Sequence, residues 1–429
     1  MIPSQITHFF KHYLKQTDSL ISITGVLSNK FTQVLLQIMI VRILLPADYS
    51  NFFFYYSSIT GLSVFIGEGL GVSISRFLST AKEKSELIVF NSIATGLITS
   101  LLPGFFLANQ IWLHPEVQLN PLTVVSVVFL AMMLSLSSIL QYICVSVGLK
   151  RFLGISQIIF ALIILLSAGA SAYLLNWQLV LTTLCFVVLT SNSVLMFYLL
   201  RNKVGQFPRV NWLTVLDLVK KSLPICGAMA LGAPVHVYCL SVLKKVSFNF
   251  NPAEVGVFGI SFVSYTLVSF LPGALGQFLV PWLLNRNEKS SIESAFLTVS
   301  KLYTSAGAAL LFVILIALKA GLTNLTPLLI GRETVILLLS ITGLLAGFVA
   351  LTSFYLNAVF KSRLVFLSSI LHSALYVVLT TFLVSYLNWG AIGLATAILI
   401  ATTSQLIFLV CKININSFFQ RNLNNPGGL

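Results

Sequence analysis

Two charged side chains fall deep inside apolar runs, Lys30 and Glu68, and they are the first candidates for chemistry. A charge at the centre of a bilayer costs about 2.5–3.5 kcal/mol on insertion scales, so each needs a partner or a task. Gln33 and Gln37 follow Lys30 at one and two helical turns on the same stripe. Together they offer one positive charge and two amides to an anionic or hydroxyl-bearing ligand. Glu68 would hold the lysine between substrates or carry a coupling proton. The competing reading is a salt bridge that only fixes two helices. His236 and His372, also within apolar runs, can titrate, meet a sugar, or be satisfied by a neighbouring hydroxyl or backbone group.

Other chemistries find no residues. The five cysteines, Cys144, Cys185, Cys226, Cys239 and Cys411, show no Cys-x-x-Cys spacing and read as packing residues. No Walker A sequence, metal-spaced His/Cys cluster or Gly-x-Ser-x-Gly is present. No catalytic residue, metal or cofactor is expected.

The elements that must position these side chains are membrane helices. With 57% hydrophobic residues, 8% charged residues and a mean hydropathy of +0.97, the chain lies far from the soluble norm. Twelve apolar runs are long enough to cross the membrane, at about 19–45, 51–79, 87–108, 121–147, 152–175, 178–200, 217–243, 254–283, 296–319, 334–360, 364–387 and 390–411. They lack the ten-residue alternation of a barrel, which predicts an all-α integral membrane protein. Of the 25 Lys and Arg, Arg42, Lys244, Lys245, Lys319 and Arg332 fall on one side, Lys30 lies within a run, and the rest fall on the other side. The positive-inside rule makes the rich side cytoplasmic and puts both termini there. That distribution accounts for the net charge of +14 without a nucleic-acid partner. The segment before the first run is too polar for a cleaved signal and suits an amphipathic helix on the inner leaflet.

An internal repeat organises the twelve runs. Pro46, Asp48 and Gly67 are answered at an offset of 206 by Pro252, Glu254 and Gly273. Arg151 and the pair Asn176-Trp177 are answered at 212 by Arg363 and Asn388-Trp389. Two six-helix halves follow, 1–210 and 211–429, inserted in the same sense about a pseudo-twofold axis along the membrane normal. In such repeats the substrate path runs between the halves, which rock to open each side in turn. Pro224, Pro234, Pro272 and Pro281 sit within apolar runs of the second half and read as kinks or hinges. Trp177 and Trp389 read as interfacial anchors, and Gly67 with Gly71 as a site of close helix approach.

"VRILLPADYSNFFF" resembles the Arg-x-Leu-x-Pro-x-x-[Tyr/Phe]-Gly signature of the polysaccharide flippases in the multidrug/oligosaccharidyl-lipid/polysaccharide (MOP) exporter superfamily. It supplies Arg42, Leu44, Pro46 and Tyr49, with Asp48 between them and Ser50 in place of glycine. "GEGLGVSISRFLS", ending near Arg76, "AEVGVFGIS", carrying Glu254 and Gly256, "PGALGQFLVPWL", "LLIGRE" and "NWGAIGLATAILIA" extend the resemblance over essentially the whole chain. The resemblance implies a MATE-like bundle and a Wzx-type carrier for O-antigen or capsule repeat units. Such a carrier moves an undecaprenyl-pyrophosphate-linked oligosaccharide to the periplasmic leaflet of a bacterial inner membrane. Its partners would be the polyprenyl-pyrophosphate-linked oligosaccharide, membrane lipids, a glycan polymerase and a chain-length regulator. The alternatives are a small-molecule, multidrug-type antiporter and a membrane polymerase or transferase acting on lipid-linked glycans.

Overall fold

The computed structural model describes residues 17–80, 85–113, 119–204, 210–230, 232–250, 253–284, 289–321, 327–358 and 361–424. The first sixteen residues, with the expected amphipathic segment, lie outside them. The described residues form fourteen α-helices and no strand. They are α1 Thr17–Ile43, α2 Pro46–Thr80, α3 Ser85–Thr99, α4 Leu101–Leu113, α5 Pro121–Ser146, α6 Lys150–Tyr173 and α7 Trp177–Leu199. Then come α8 Trp212–Ala230, α9 Gly232–Phe250, α10 Glu254–Leu284, α11 Lys289–Lys319, α12 Glu333–Ala358, α13 Ser362–Thr380 and α14 Gly390–Asn424. Nine helical stretches among the described residues are long and apolar enough to cross a membrane. In addition, α2 and α10 run for 35 and 31 residues, beyond the ~20 a crossing needs.

Local sequence explains where the helices start and break. Pro46 opens α2, where its missing N–H costs nothing, and Asp48 sits in the first turn against the positive end of the helix dipole. Asn120 caps α5 by accepting from Thr123 N–H at 2.8 Å, with Pro121 next in line. Asn176 caps α7 through the N–H groups of Gln178 and Leu179. The apolar run 87–108 is two helices that part at Ser100. Pro103, three residues on, has no N–H for the Thr99 carbonyl and crowds it. Within the run 217–243, Pro224 falls in α8 and Pro234 in α9.

Helix pairings recur along the chain. α1 packs on α6, α2 on α5, and α7 on both α5 and α6; further on, α8 and α9 pack on α13, α10 on α12, and α14 on both α12 and α13. Small residues make the close crossings possible. A side chain at Gly67 would strike Ser135 and Ser138, and one at Gly71 would strike Tyr142, so α2 and α5 touch along this glycine stripe. The Tyr303 hydroxyl lies within hydrogen-bond distance of the carbonyls of Val268 (3.2 Å), Gly343 (3.2 Å) and Leu344 (3.1 Å), which compete for its one proton and place α11 against α10 and α12.

The two tryptophans of the repeat do not share a role. Trp177 is buried and stacks on Tyr55 with ring centroids 5.7 Å apart, so it is a core residue rather than an interfacial anchor. Trp389 is half exposed. The backbones differ too: Leu175 is left-handed in the first copy, Asn388 and Gly390 in the second.

Candidate functional site

A polar cavity partly open to the surroundings lies among α1, α2, α5, α6 and α7, with about 720 Å³ of space, open solvent included. Its position follows from one close crossing. Gly25 of α1 and Gly154 of α6 meet backbone to backbone, leaving no room for a Cβ on either. Asn29 and Gln33 stand one and two turns above Gly25, while Gln157 stands one turn beyond Gly154, so the crossing brings their amides to one space. Ser137 and Gln141 of α5, Ser191 of α7, and Tyr56 and Thr60 of α2 complete the polar lining. Leu36, Leu130, Phe160, Ile164 and Val188 supply apolar wall. Among the described residues that line it there is no carboxylate and no cation.

Of the residues expected to bind substrate, Gln33 lines this cavity. Gln37, one turn on, is buried, and its amide oxygen meets no partner among the described residues. Lys30 is half-buried beside Asn29. The side chain of Glu68, and with it any pairing to Lys30, lies outside the described residues, as do the side chains of Arg76, Pro224, Pro272 and Pro281. The helices α8 and α10 run through those proline positions.

The histidines belong to a second locus, on α9 and α13. Ser57 Oγ of α2 lies 3.3 Å from His236 Nε2, and Tyr376 Oη lies 3.2 Å from His236 Nδ1. His372 Nε2 is 3.4 Å from Thr402 Oγ1, and its ring sits against that of Tyr376. His236 therefore joins α2 to α9 and α13, and is separate from the amide-lined cavity.

Residues of the two repeated motifs meet at the end of the bundle where α2 and α10 begin. Tyr49 and Ser50 pack on Gly256, and Phe53 packs on Gly259 and against the rings of Phe258 and Phe262. Lys244 of α9 stands 4.3 Å over the Phe54 ring. Glu254 is buried and binds twice: Oε1 receives Arg332 Nη2 at 2.7 Å, and Oε2 receives the Ala391 N–H at 2.8 Å. It thereby clasps the start of α10, the turn before α12 and the start of α14. Arg42 is exposed on the rim of an apolar cleft formed with Ile260, Val263 and Ile336. At the opposite end of α2, Val72 and Tyr142 join Tyr303, Leu351 and Phe354 in a buried cluster.

Sequence reasoning found Gln33 through its stripe but missed Asn29, Gln141 and Gln157 as one group. The signal was there in Gly25 and Gly154, whose spacing to Asn29 and Gln157 is one helical turn each.

Comparison with known proteins gives the fold a context. The chain superposes on an outward-facing multidrug resistance MATE family transporter of the MOP superfamily with a TM-score of 0.70 and 15% identity, covering 94% of this chain and 97% of that one. A Vibrio cholerae MATE transporter, VcmN, gives a TM-score of 0.71 at 15% identity over 95% and 98% of the two chains. A MOP superfamily transporter from Pyrococcus furiosus gives 0.62 at 15% identity over 93% and 94%. The fold is that of the MATE transporters. In sequence, a 65-residue stretch is 34% identical to the EPS I polysaccharide export inner membrane protein EpsE of Ralstonia solanacearum. That stretch is 15% of this chain and 14% of EpsE. No family model matches the chain.

Proposed function

We propose that this protein is a transporter that moves a lipid-linked oligosaccharide from the cytoplasmic to the periplasmic leaflet of a bacterial inner membrane. Two six-helix halves, 1–210 and 211–429, would rock against each other, parting the contact between the starts of α2 and α10 in one state and closing it in the other, to expose the substrate to each side in turn. The observation that carries the reading is the cavity lining: amides, hydroxyls and aromatic rings, with no carboxylate among the described lining residues, which suits sugar hydroxyls better than an organic cation. The stretch shared with a polysaccharide export protein agrees with it. Lys30, half-buried beside the cavity wall, would meet the pyrophosphate, with Glu68 as its counter-charge between substrates. A small-molecule antiporter is the second reading, supported by the fold shared with a multidrug MATE transporter.

Deleting the gene tests this. Lipid-linked repeat units should accumulate in the cytoplasmic leaflet while the surface polymer is lost. Intact surface polymer together with altered drug susceptibility would favour the antiporter. Single repeat units at the surface without long chains would make the protein a polymerase.

A further inference from the structure

Gln157 is an anomaly that the packing of the bundle does not explain. It is only 5% exposed, yet neither its amide oxygen nor its amide nitrogen has a hydrogen-bond partner among the described residues. A buried amide left unpaired is costly and is ordinarily paired with something. The side chain faces the cavity of α1, α2, α5, α6 and α7 rather than a packed helix surface. Around the same space stand the amides of Asn29, Gln33 and Gln141 and the hydroxyls of Thr60, Ser137 and Ser191.

The lining also fixes the class of ligand. Amides donate and accept at once, which matches hydroxyl groups, themselves both donor and acceptor. The described lining residues carry no charge, so what they can pair is a neutral donor-acceptor group rather than a free ion. The Tyr56 and Phe160 rings and the leucine walls suit the apolar C–H face of a pyranose.

We propose that this cavity is a monosaccharide subsite, in which Gln157 reads one sugar of the transported glycan by hydrogen bonds to its hydroxyls. The assignment rests on the oligosaccharide reading given above and deepens it, placing glycan recognition inside the first half rather than between the halves. Gln157 sits about 10 Å along α6 from Lys150 at a ~1.5 Å rise, within reach of a sugar entering from that end.

The test uses the purified full chain in detergent, saturation-transfer NMR and a panel of free glucose, galactose, rhamnose and N-acetylglucosamine. At least one sugar should give a signal on the wild type, and Gln157→Leu should weaken its binding about tenfold, the scale of losing hydrogen bonds to a buried hydroxyl. The same substitution should leave the thermal midpoint unchanged or raise it, because it removes an unpaired buried amide. Gln141→Leu, on another helix, should weaken the same sugar. A folded wild type that binds none of the panel, or a Gln157→Leu protein that binds as the wild type does, would overturn the subsite and leave the cavity to water. A fall in the midpoint of Gln157→Leu with sugar binding retained would make Gln157 structural and overturn it equally. The transport reading fails separately, through the leaflet distribution of lipid-linked repeat units in the deletion strain. Loss of that phenotype with a Gln157-dependent sugar signal intact would retain the subsite in a carrier of free sugars.

Discussion

Ser50 and Gly256 hold the same place in the two copies of the repeated motif, and they pack against each other: a Cβ built on Gly256 would lie 2.7 Å from Ser50 Oγ. Phe53 and Gly259, again 206 positions apart, meet in the same way. Equivalent residues that touch are what a twofold axis passing between α2 and α10 would give. Each contact sets a larger side chain against a glycine. Gly256→Leu should therefore overpack the seam and cost about 1–3 kcal/mol, read as a lower thermal midpoint, whereas Ser50→Gly should leave the midpoint nearly unchanged. Equal midpoints for Gly256→Leu and the wild type would show that the seam is slack.

The same pairing allows a test of movement. In a chain freed of its own cysteines, Ser50→Cys with Gly256→Cys joined by a short thiol crosslinker should stop export, and reducing the link should restore it. Full export through the crosslinked protein would mean that α2 and α10 stay together throughout the cycle.

Glu254 makes two bonds of different kind, an ion pair to Arg332 and an acceptor contact to the Ala391 N–H. Glu254→Gln keeps an acceptor for Ala391 and loses the ion pair; Glu254→Ala loses both. With about 1.5–3 kcal/mol for a hydrogen bond to a charged group, Glu254→Ala should destabilise more than Glu254→Gln, and Arg332→Ala should add little to Glu254→Ala. Additive losses in this double-mutant cycle would deny the coupling between Glu254 and Arg332.

Much of the helical architecture was legible because its signals are local. Apolar length marks a span, Pro46 and Asn176 mark starts, and the Gly67/Gly71 spacing marks a close crossing. What stayed hidden depends on contacts remote in sequence. Nothing local distinguishes Trp177 from Trp389, since burial of the first is decided by Tyr55, a residue of another helix. Glu254 was legible as the counterpart of Asp48 in the repeat, and it sits in the first turn of α10, but its clasp on Arg332 and Ala391 spans 78 and 137 positions. The cavity needed the Gly25/Gly154 crossing before Asn29, Gln33 and Gln157 could be seen as one group.

Orientation is open to a direct check, and it rests on the distribution of Lys and Arg. Reporter fusions after Asn176 and Asn388 should read periplasmic, and fusions after Arg151 and Arg363 cytoplasmic. A consistent inversion of all four would turn the bundle over and make the Glu254 clasp a cytoplasmic feature.

Lys30 and Glu68 lie at about the same depth, each about 16 Å from the cytoplasmic end of its span at ~1.5 Å per residue. Removing one member of a buried pair strands the other charge, whereas removing both is often nearly neutral. Lys30→Ala should accordingly lower the amount of protein in the membrane, and Lys30→Ala with Glu68→Ala should restore it. Export separates the roles. Lys30 follows the lining residue Asn29 on α1, and a lysine that meets pyrophosphate predicts a double mutant that regains abundance but not export, with Lys30→Arg keeping part of the activity by retaining the charge. A double mutant that regains both would reduce the pair to a structural link between α1 and α2. Normal export from a normally abundant Lys30→Ala protein would exclude both roles, leaving an ammonium group that reaches water through the cavity and binds nothing.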